Sequence, residues 1–221
     1  MAYRVQPSSY GGAAAVAPTR TTLGQVLGIT ALGLCVSALA VYVFRDNVGR
    51  TAGLIAMLVG LGLLFAINGT RANSALSLAL FYAFTFAEGI GLTPVISYYL
   101  HVAPDVVFNA ALTTGLGMFA LGAIVYGTGV DLRRFQGILT IALLGLIVVS
   151  VAALFFRFVA PTTLSWITLV IFAGFTLIDF ARIRAGGDYF TPVQLAVQIY
   201  LDVINIFLAL LNIFGNRRSS D

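Results

Sequence analysis

Three carboxylates lie inside long apolar runs of the sequence: Glu88, Asp179 and Asp202. A charged side chain within a membrane segment is energetically costly and usually marks a functional site. Two carboxylates held close together cannot both ionise cheaply, so such a pair would share a proton and titrate as a unit. Carboxylate oxygens are also suitable ligands for Ca²⁺. These residue types therefore predict proton or cation binding within a membrane.

Asp202 belongs to a stripe of polar residues along the last apolar run. At 100° per residue, the members of the stripe fall within an arc of roughly 80° on one helical face. Lipid does not tolerate such a face, so it must contact other helices or a water-filled path. We expect the last helix to be central in a bundle, and the alternative is a hydrogen-bonded network that serves packing alone. The stripe comprises Gln194, Gln198, Asp202, Asn205 and Asn212.

Asp179 lies near the end of the sixth apolar run, which the short segment 185–191 joins to the seventh. These two helices should be antiparallel neighbours. Asp179 would then lie roughly 7 Å and Asp202 roughly 15 Å from the same membrane surface, at 1.5 Å per residue. The two carboxylates can therefore meet in one half of the bilayer. The alternative is an interfacial Asp179 that pairs with Arg182 or Arg184.

Two further charged residues could complete the site. Arg71 begins the third run on the same side, and its guanidinium could bind Asp179 in a bidentate manner. The alternative is that Arg71 is a loop arginine that does not bind Asp179. Asn205 could add a carbonyl ligand for Ca²⁺. Glu88 lies near Pro94, which should kink the third helix or open its backbone. Glu88 either lines the same cavity or is protonated and bonded to a freed backbone carbonyl.

The composition places these residues in a membrane protein. The chain has 221 residues, of which 60% are hydrophobic and 9% charged, whereas soluble domains carry about 25% charged residues. Every basic residue is arginine, and the absence of lysine excludes a retinal Schiff base. The net charge of +4, without interleaved aromatic and basic residues, favours an anionic lipid surface over nucleic acid. The predicted partners are therefore the lipid bilayer and a cation, with no cofactor besides calcium.

The apolar runs predict an all-α polytopic protein with a seven-helix bundle, because about 20 residues are needed for each span. We expect a disordered N-terminal tail at 1–21, a transmembrane domain at 22–215 and a short C-terminal tail at 216–221. The runs cover 22–44, 51–67, 74–100, 106–127, 137–156, 163–182 and 192–214.

Several helix starts carry candidate capping residues. Asp105 follows a proline, and Thr162 or Thr163 follows another. Thr191 precedes Pro192, which would occupy the first helical position.

Glycines inside the spans predict close contacts between helices. Gly24 and Gly28 form a GxxxG motif in the first run. Gly115, Gly117 and Gly122 lie within the fourth.

Arginine counts in the loops favour a cytoplasmic N-terminus by seven to five. If the last run re-entered the membrane instead of crossing, both termini would share one side. The N-terminal side holds Arg4, Arg20, Arg71, Arg133, Arg134, Arg182 and Arg184, and the opposite side holds Arg45, Arg50, Arg157, Arg217 and Arg218.

Three segments resemble the Bax inhibitor family, also called the transmembrane Bax inhibitor motif family. They are YAFTFAEGIGLTPVISYY, FTLIDFARIR and AVQIYLDVINIFLALLNIFG, within residues 71–100 and 172–215. The resemblance implies a central last helix wrapped by two three-helix layers. It also implies a pH-sensitive calcium leak with a di-aspartyl sensor, as described for bacterial members, and hence a bacterial inner membrane.

The same resemblance assigns roles to individual residues. It implies that Asp179 and Asp202 form the sensor and that Arg71 latches the closed form through Asp179. Family members often carry a glutamate on helix two, whereas here Gly60 lies near the expected place, and Glu88 is not generally required in the family.

Three functions compete at this point. The first is a pH-gated cation leak, most simply for Ca²⁺. The second is a non-transporting membrane regulator that binds a protease or a cell-death or stress partner. The third is an intramembrane aspartyl protease, but its GxGD motif is missing: the nearest string, Gly186-Gly187-Asp188, has the wrong spacing and lies in a loop. We therefore expect a protein that is not an enzyme.

Overall fold

A computed structural model describes residues 23–70, 74–156 and 158–218 of the chain. The predicted N-terminal tail and Arg71 lie outside these residues. The described part is all-α, and it contains seven helices long and apolar enough to cross a membrane. This confirms the predicted fold class. The helices are α1 Leu23–Phe44, α2 Arg50–Gly69, α3 Ser74–Val102, α4 Pro104–Thr128, α5 Gln136–Phe156, α6 Pro161–Arg184 and α7 Pro192–Arg218, with a 3₁₀ turn at Arg133–Phe135 before α5.

Prolines rather than the expected capping residues define two of the helix starts. Pro104 and Pro161 occupy the first helical positions of α4 and α6, and an alanine precedes each of them. The proline lacks the backbone N–H that a cap would satisfy. The predicted caps Asp105 and Thr162 or Thr163 are therefore wrong, because these residues lie inside the first turn.

The start of α7 agrees with the predicted cap. The backbone N–H of Gln194 donates to Thr191 Oγ1 over 3.2 Å, and the backbone N–H of Thr191 donates to Gln194 Oε1 over 3.1 Å. This reciprocal pair satisfies donors that the helix itself leaves open. It also fixes where the polar stripe of α7 begins.

The last helix is central, as the polar stripe predicted. It packs against α1, α3, α4 and α6, and half of its apolar span is buried, against 6% for α5. The other six helices form two groups of three, in which α3 packs against α1 and α2 while α6 packs against α4 and α5. At 27 residues α7 is roughly 40 Å long, which is sufficient to cross a bilayer.

The glycines that permit close packing are mostly not those of the predicted motifs. Gly24, Gly28, Gly115 and Gly117 have open space where a Cβ would lie, so the expectation for these four is wrong. Only Gly122 packs as expected, against the ring of Phe180. The tight contacts between α1 and α3 and between α2 and α3 instead involve Gly33, Gly53, Gly89 and Gly91.

Helix α3 continues through Pro94 without a break in its helical structure. The proline ring packs against α2, since a Cβ at Gly53 would lie 3.0 Å from Pro94 Cγ. The predicted kink or local opening of the backbone at this proline stays a prediction.

Replacing Gly89 with alanine is expected to destabilise the protein by about 1–3 kcal/mol, the usual cost of overpacking. The new Cβ would lie 2.5 Å from the Ser37 carbonyl oxygen on α1, and backbone cannot move aside cheaply. Thermal unfolding of the detergent-solubilised protein would measure the effect. Gly28→Ala, in open space, is the matched control and should be at least as stable as wild type. Equal stability of the two variants would contradict this packing.

Candidate acidic site between the last two helices

The structure brings Asp179 of α6 and Asp202 of α7 together inside the bundle. They are 4% and 3% exposed, and their carboxyl groups lie within electrostatic range of each other. The tight connection between α6 and α7 makes this possible. Gly186 and Gly187 have φ angles of 97° and 91°, which favour glycine and allow the chain to reverse within a few residues.

Arg182 is the cation that binds Asp179. Its Nη1 donates to Asp179 Oδ1 over 2.7 Å and to Gln198 Oε1 over 2.6 Å, and its Nη2 donates to Gln136 Oε1 over 2.7 Å. The guanidinium also lies over the ring of Phe190, 4.6 Å from its centroid. One buried side chain therefore connects α5, α6 and α7. From the sequence, Arg182 is only an alternative partner for Asp179, at the membrane interface.

In the part of the chain that the structure describes, Asp202 contacts a neutral side chain instead of a cation. Its Oδ2 lies 3.1 Å from the hydroxyl oxygen of Thr176, which donates to the Phe172 carbonyl oxygen over 2.8 Å. A threonine hydroxyl has one hydrogen and two lone pairs. It cannot fully serve the carbonyl and an ionised carboxylate at the same time, so this geometry suits an Asp202 that supplies a proton of its own.

The rest of the polar stripe is distributed along α7. Gln194 donates from Nε2 to Asn68 Oδ1 of α2 over 3.3 Å. Asn205 donates to the Leu201 carbonyl oxygen of its own helix over 2.8 Å. Asn212 lines a cleft of about 390 Å³ at the opposite membrane face, beside the rings of Tyr98 and Tyr99. The stripe thus reaches both ends of the central helix.

Glu88 lies apart from the aspartate pair. It is half-buried and within electrostatic range of Tyr200, whose hydroxyl is hydrogen-bonded to Ser37 Oγ at 2.7 Å. Tyr200 and Asp202 are two residues apart, so they point to nearly opposite faces of α7. A Cβ at Gly60 would lie 3.0 Å from Glu88 Oε1. From α3, the carboxyl group thus fills the place on α2 where the resemblance led us to expect a glutamate.

A network of charged side chains lies at the membrane face nearest the aspartate pair. Arg133 contacts Asp131 at 2.7 Å and Asp188 at 2.8 Å, which links the α4–α5 and α6–α7 connections. Hydrogen bonds from Arg133 lower the pKa of Asp131 to about 2. Arg184 donates to the Gly129 carbonyl oxygen over 2.7 Å and to that of Val125. This network could not be predicted from the sequence, because Asp188 and Arg184 are each 55 residues from their partners Arg133 and Gly129.

Within the described residues, no three His, Cys, Asp or Glu side chains converge as a metal site. A cation entering the acidic site would meet two carboxylates, one of which already binds Arg182.

A bundle of seven apolar helices, six of them around a central one, with a buried acidic pair between the last two, defines a polytopic membrane protein. The sequence profile of the family described as Inhibitor of apoptosis-promoting Bax1 matches residues 19–219. The chain belongs to this family, the Bax inhibitor family, as its motifs led us to expect.

Similar bacterial proteins cover most of the chain. A Borreliella burgdorferi protein is 30% identical over 89% of this chain and 92% of its own length. A Campylobacter jejuni protein is 34% identical over 75% of this chain and 72% of its own. A Vibrio cholerae protein, described as an uncharacterized membrane protein, is 28% identical over 89% and 88%.

Proposed function

We propose that the protein is a pH-sensitive cation leak channel, with Ca²⁺ as its main ion, gated by the Asp179–Asp202 pair. The observation that carries this proposal is the set of charges at the site: among the described residues, two buried carboxylates face a single guanidinium, that of Arg182. The charges of these two carboxyl groups and the guanidinium balance only while one carboxyl group is protonated. We place the proton on Asp202, since Asp179 binds Arg182 and Asp202 contacts the neutral Thr176.

The closed state follows from this charge balance. With Asp202 neutral, Arg182 and Asp179 form a compensated ion pair, and the hydrogen bonds of Arg182 to Gln198 and Gln136 hold α5, α6 and α7 together. We assign the described structure to this proposed closed state. Between Asp202 and the outer cleft, α7 is packed with buried apolar side chains such as Ile206 and Leu210.

Loss of the Asp202 proton would open the site. A second negative charge would then lie in a dry site without a counter-ion, which costs several kcal/mol per ion. Water or a cation must enter to compensate it, and α6 and α7 must separate. The cation would leave toward Asn212, roughly 15 Å further along α7. We therefore expect the leak to increase as pH rises.

Calcium flux into proteoliposomes that contain an indicator dye tests the proposal. Wild-type protein is expected to raise the flux above that of protein-free vesicles, and more at about pH 8 than at about pH 6. Asp202→Asn mimics the protonated side chain, so its flux should stay low at both pH values. Flux equal to that of protein-free vesicles, or equal flux from wild type and Asp202→Asn, would contradict the proposal.

We further propose that the N-terminus is cytoplasmic. The relatives named above are bacterial, and the arginine count favours this orientation. The charged network of Arg133, Asp131 and Asp188 would then lie at the cytoplasmic face of the inner membrane, where the acidic pair senses cytoplasmic pH. A cysteine introduced at Tyr189, which is 97% exposed, should react with a membrane-impermeant maleimide only after the cells are permeabilised. Labelling in intact cells would indicate the opposite orientation of the protein in the membrane.

A second candidate function is a regulator that binds a membrane-protein partner, such as a protease or a cell-death or stress factor. The outward face of α5 supports it, because only 6% of that span is buried and the remainder could contact another protein. This function predicts that a deletion phenotype is rescued by Asp202→Asn but not by substitutions on the outer face of α5. The leak proposal predicts the reverse.

A further inference from the structure

A long groove runs along the outside of the bundle between α1 and α4, with α7 as its floor. It encloses about 990 Å³ and is lined almost entirely by apolar atoms. Leu27 and Leu34 line it from α1, Ala111 and Phe119 from α4, and Val203 from α7. The aspartate pair does not line this groove, which is therefore distinct from the acidic site.

The groove spans the full thickness of a membrane. Its lining on α1 begins at Leu23 and ends at Arg45. At 1.5 Å per residue this distance is roughly 33 Å, close to the thickness of about 30 Å for the hydrocarbon core of a bilayer. On α4 the lining extends from Val107, near one end of the helix, to Tyr126, near the other.

The dimensions of the groove select its occupant. The open space of the groove is about 2230 Å³ even when space beyond its mouth is included. Over roughly 33 Å this corresponds to a mean cross-section of at most about 68 Å². A helix with side chains is about 10–12 Å across and needs roughly 80–110 Å². The groove is therefore too narrow to enclose a helix of a partner or of a second copy, and it suits an extended hydrocarbon chain.

A cationic group lies at the end of the groove, at the membrane surface where α1 ends. The guanidinium of Arg45 is 4.8 Å from the centroid of the Tyr42 ring, and its Nε lies 3.2 Å from Asp46 Oδ2. The Arg45 side chain is 47% exposed, and exposed ion pairs of this kind contribute little. The planar guanidinium matches a phosphate group, and arginine and tyrosine are typical of the headgroup region.

We propose that this groove is a binding site for one membrane phospholipid, with an acyl chain laid against α7 and the phosphate on Arg45. The lipid fills a gap that the side chains of α1 and α4 leave open over the central helix. It contacts the α7 face formed by Ile199, Val203 and Phe207, which is adjacent to the face that carries Asp202. The proposal does not depend on ion transport.

Photolabelling in vesicles tests the acyl-chain position. The protein is reconstituted in phosphatidylethanolamine and phosphatidylglycerol with a trace of phosphatidylglycerol that carries a photoreactive acyl chain. Adducts, mapped by mass spectrometry, should concentrate on the residues that line the groove. Gly115 lines the groove and has open space at its Cβ, so Gly115→Phe should fill the groove and reduce these adducts roughly tenfold, which corresponds to about 1.4 kcal/mol.

Gly117→Phe is the matched control, because Gly117 lies on the same helix with equally open space but does not line the groove. It should label as wild type does. Adducts spread evenly over all lipid-facing helices, or equal labelling of the two variants, would overturn the proposal by indicating ordinary bulk lipid.

The phosphate contact has its own test in the same vesicles. Arg45→Gln should reduce groove labelling, whereas Arg50→Gln, on the same membrane face but outside the groove, should not. Equal labelling of the groove in the two variants would overturn the assignment of the phosphate to Arg45.

Discussion

Replacing Arg182 with glutamine is expected to destabilise the protein by about 3–5 kcal/mol, the usual cost of breaking a buried ion pair by removing one partner. Arg182 is 4% exposed and binds Asp179, Gln198 and Gln136 at once. Without it, Asp179 would remain as a buried charge with no counter-ion, and α5 would lose its polar link to α6 and α7. Thermal unfolding in detergent, followed by the fluorescence of the single tryptophan, would measure the loss.

A second substitution separates lost charge compensation from lost packing. The double variant Asp179→Asn/Arg182→Gln removes both charges and should recover most of the stability. Arg134→Gln, an exposed arginine in the turn before α5, is the matched control and should change stability by less than about 0.5 kcal/mol. An Arg182→Gln variant as stable as Arg134→Gln would show that the buried pair is not structural.

The second large effect concerns the pH dependence of stability. Wild-type protein is expected to lose stability as pH rises through the ionisation of Asp202, because water solvates the ionised side chain in the unfolded state and the folded site does not. Over the pH range in which the folded state binds one proton more than the unfolded state, the free energy of unfolding falls by about 1.4 kcal/mol for each unit of rising pH. Asp202→Asn has no such proton to lose and should have a flatter profile.

The comparison requires a control for other titrating groups. Asp46→Asn removes an aspartate that is 65% exposed and should follow the wild-type curve. Unfolding temperatures measured between about pH 6 and about pH 9 give the three profiles. If the unfolding temperatures of wild type and Asp202→Asn decline in parallel as pH rises, the proton is not bound at Asp202.

Much of the architecture could be predicted because the membrane imposes strong constraints on composition and periodicity. The seven apolar runs coincide with the seven helices to within four residues at each end. The polar face of the last run required other helices around it, and α7 is indeed central. The proximity of Asp179 and Asp202 could be predicted from the short connection and simple helix geometry, because both residues fall in the same half of the bilayer.

What the sequence could not give depends on how each helix is rotated about its axis. Arg71 and Arg182 were both available to Asp179, and spacing alone could not show that Arg182 turns inward toward Gln198 and Gln136. The GxxxG motif of Gly24 and Gly28 was a reasonable packing signal, yet this face of α1 points away from its neighbours. Likewise, only the packing of α2 on α3 shows that Glu88 faces Gly60.

The proton of the acidic pair can be observed directly by infrared difference spectroscopy of the protein in lipid, between about pH 6 and about pH 9. The carbonyl stretching band of a protonated carboxylic acid reports a neutral aspartate. We predict that wild type loses one such band as pH rises, in the range over which calcium flux increases, and that the band is missing from Asp202→Asn. A spectrum without a protonated carboxyl band at the lower pH, or the same band in Asp202→Asn, would contradict a gate controlled by that proton.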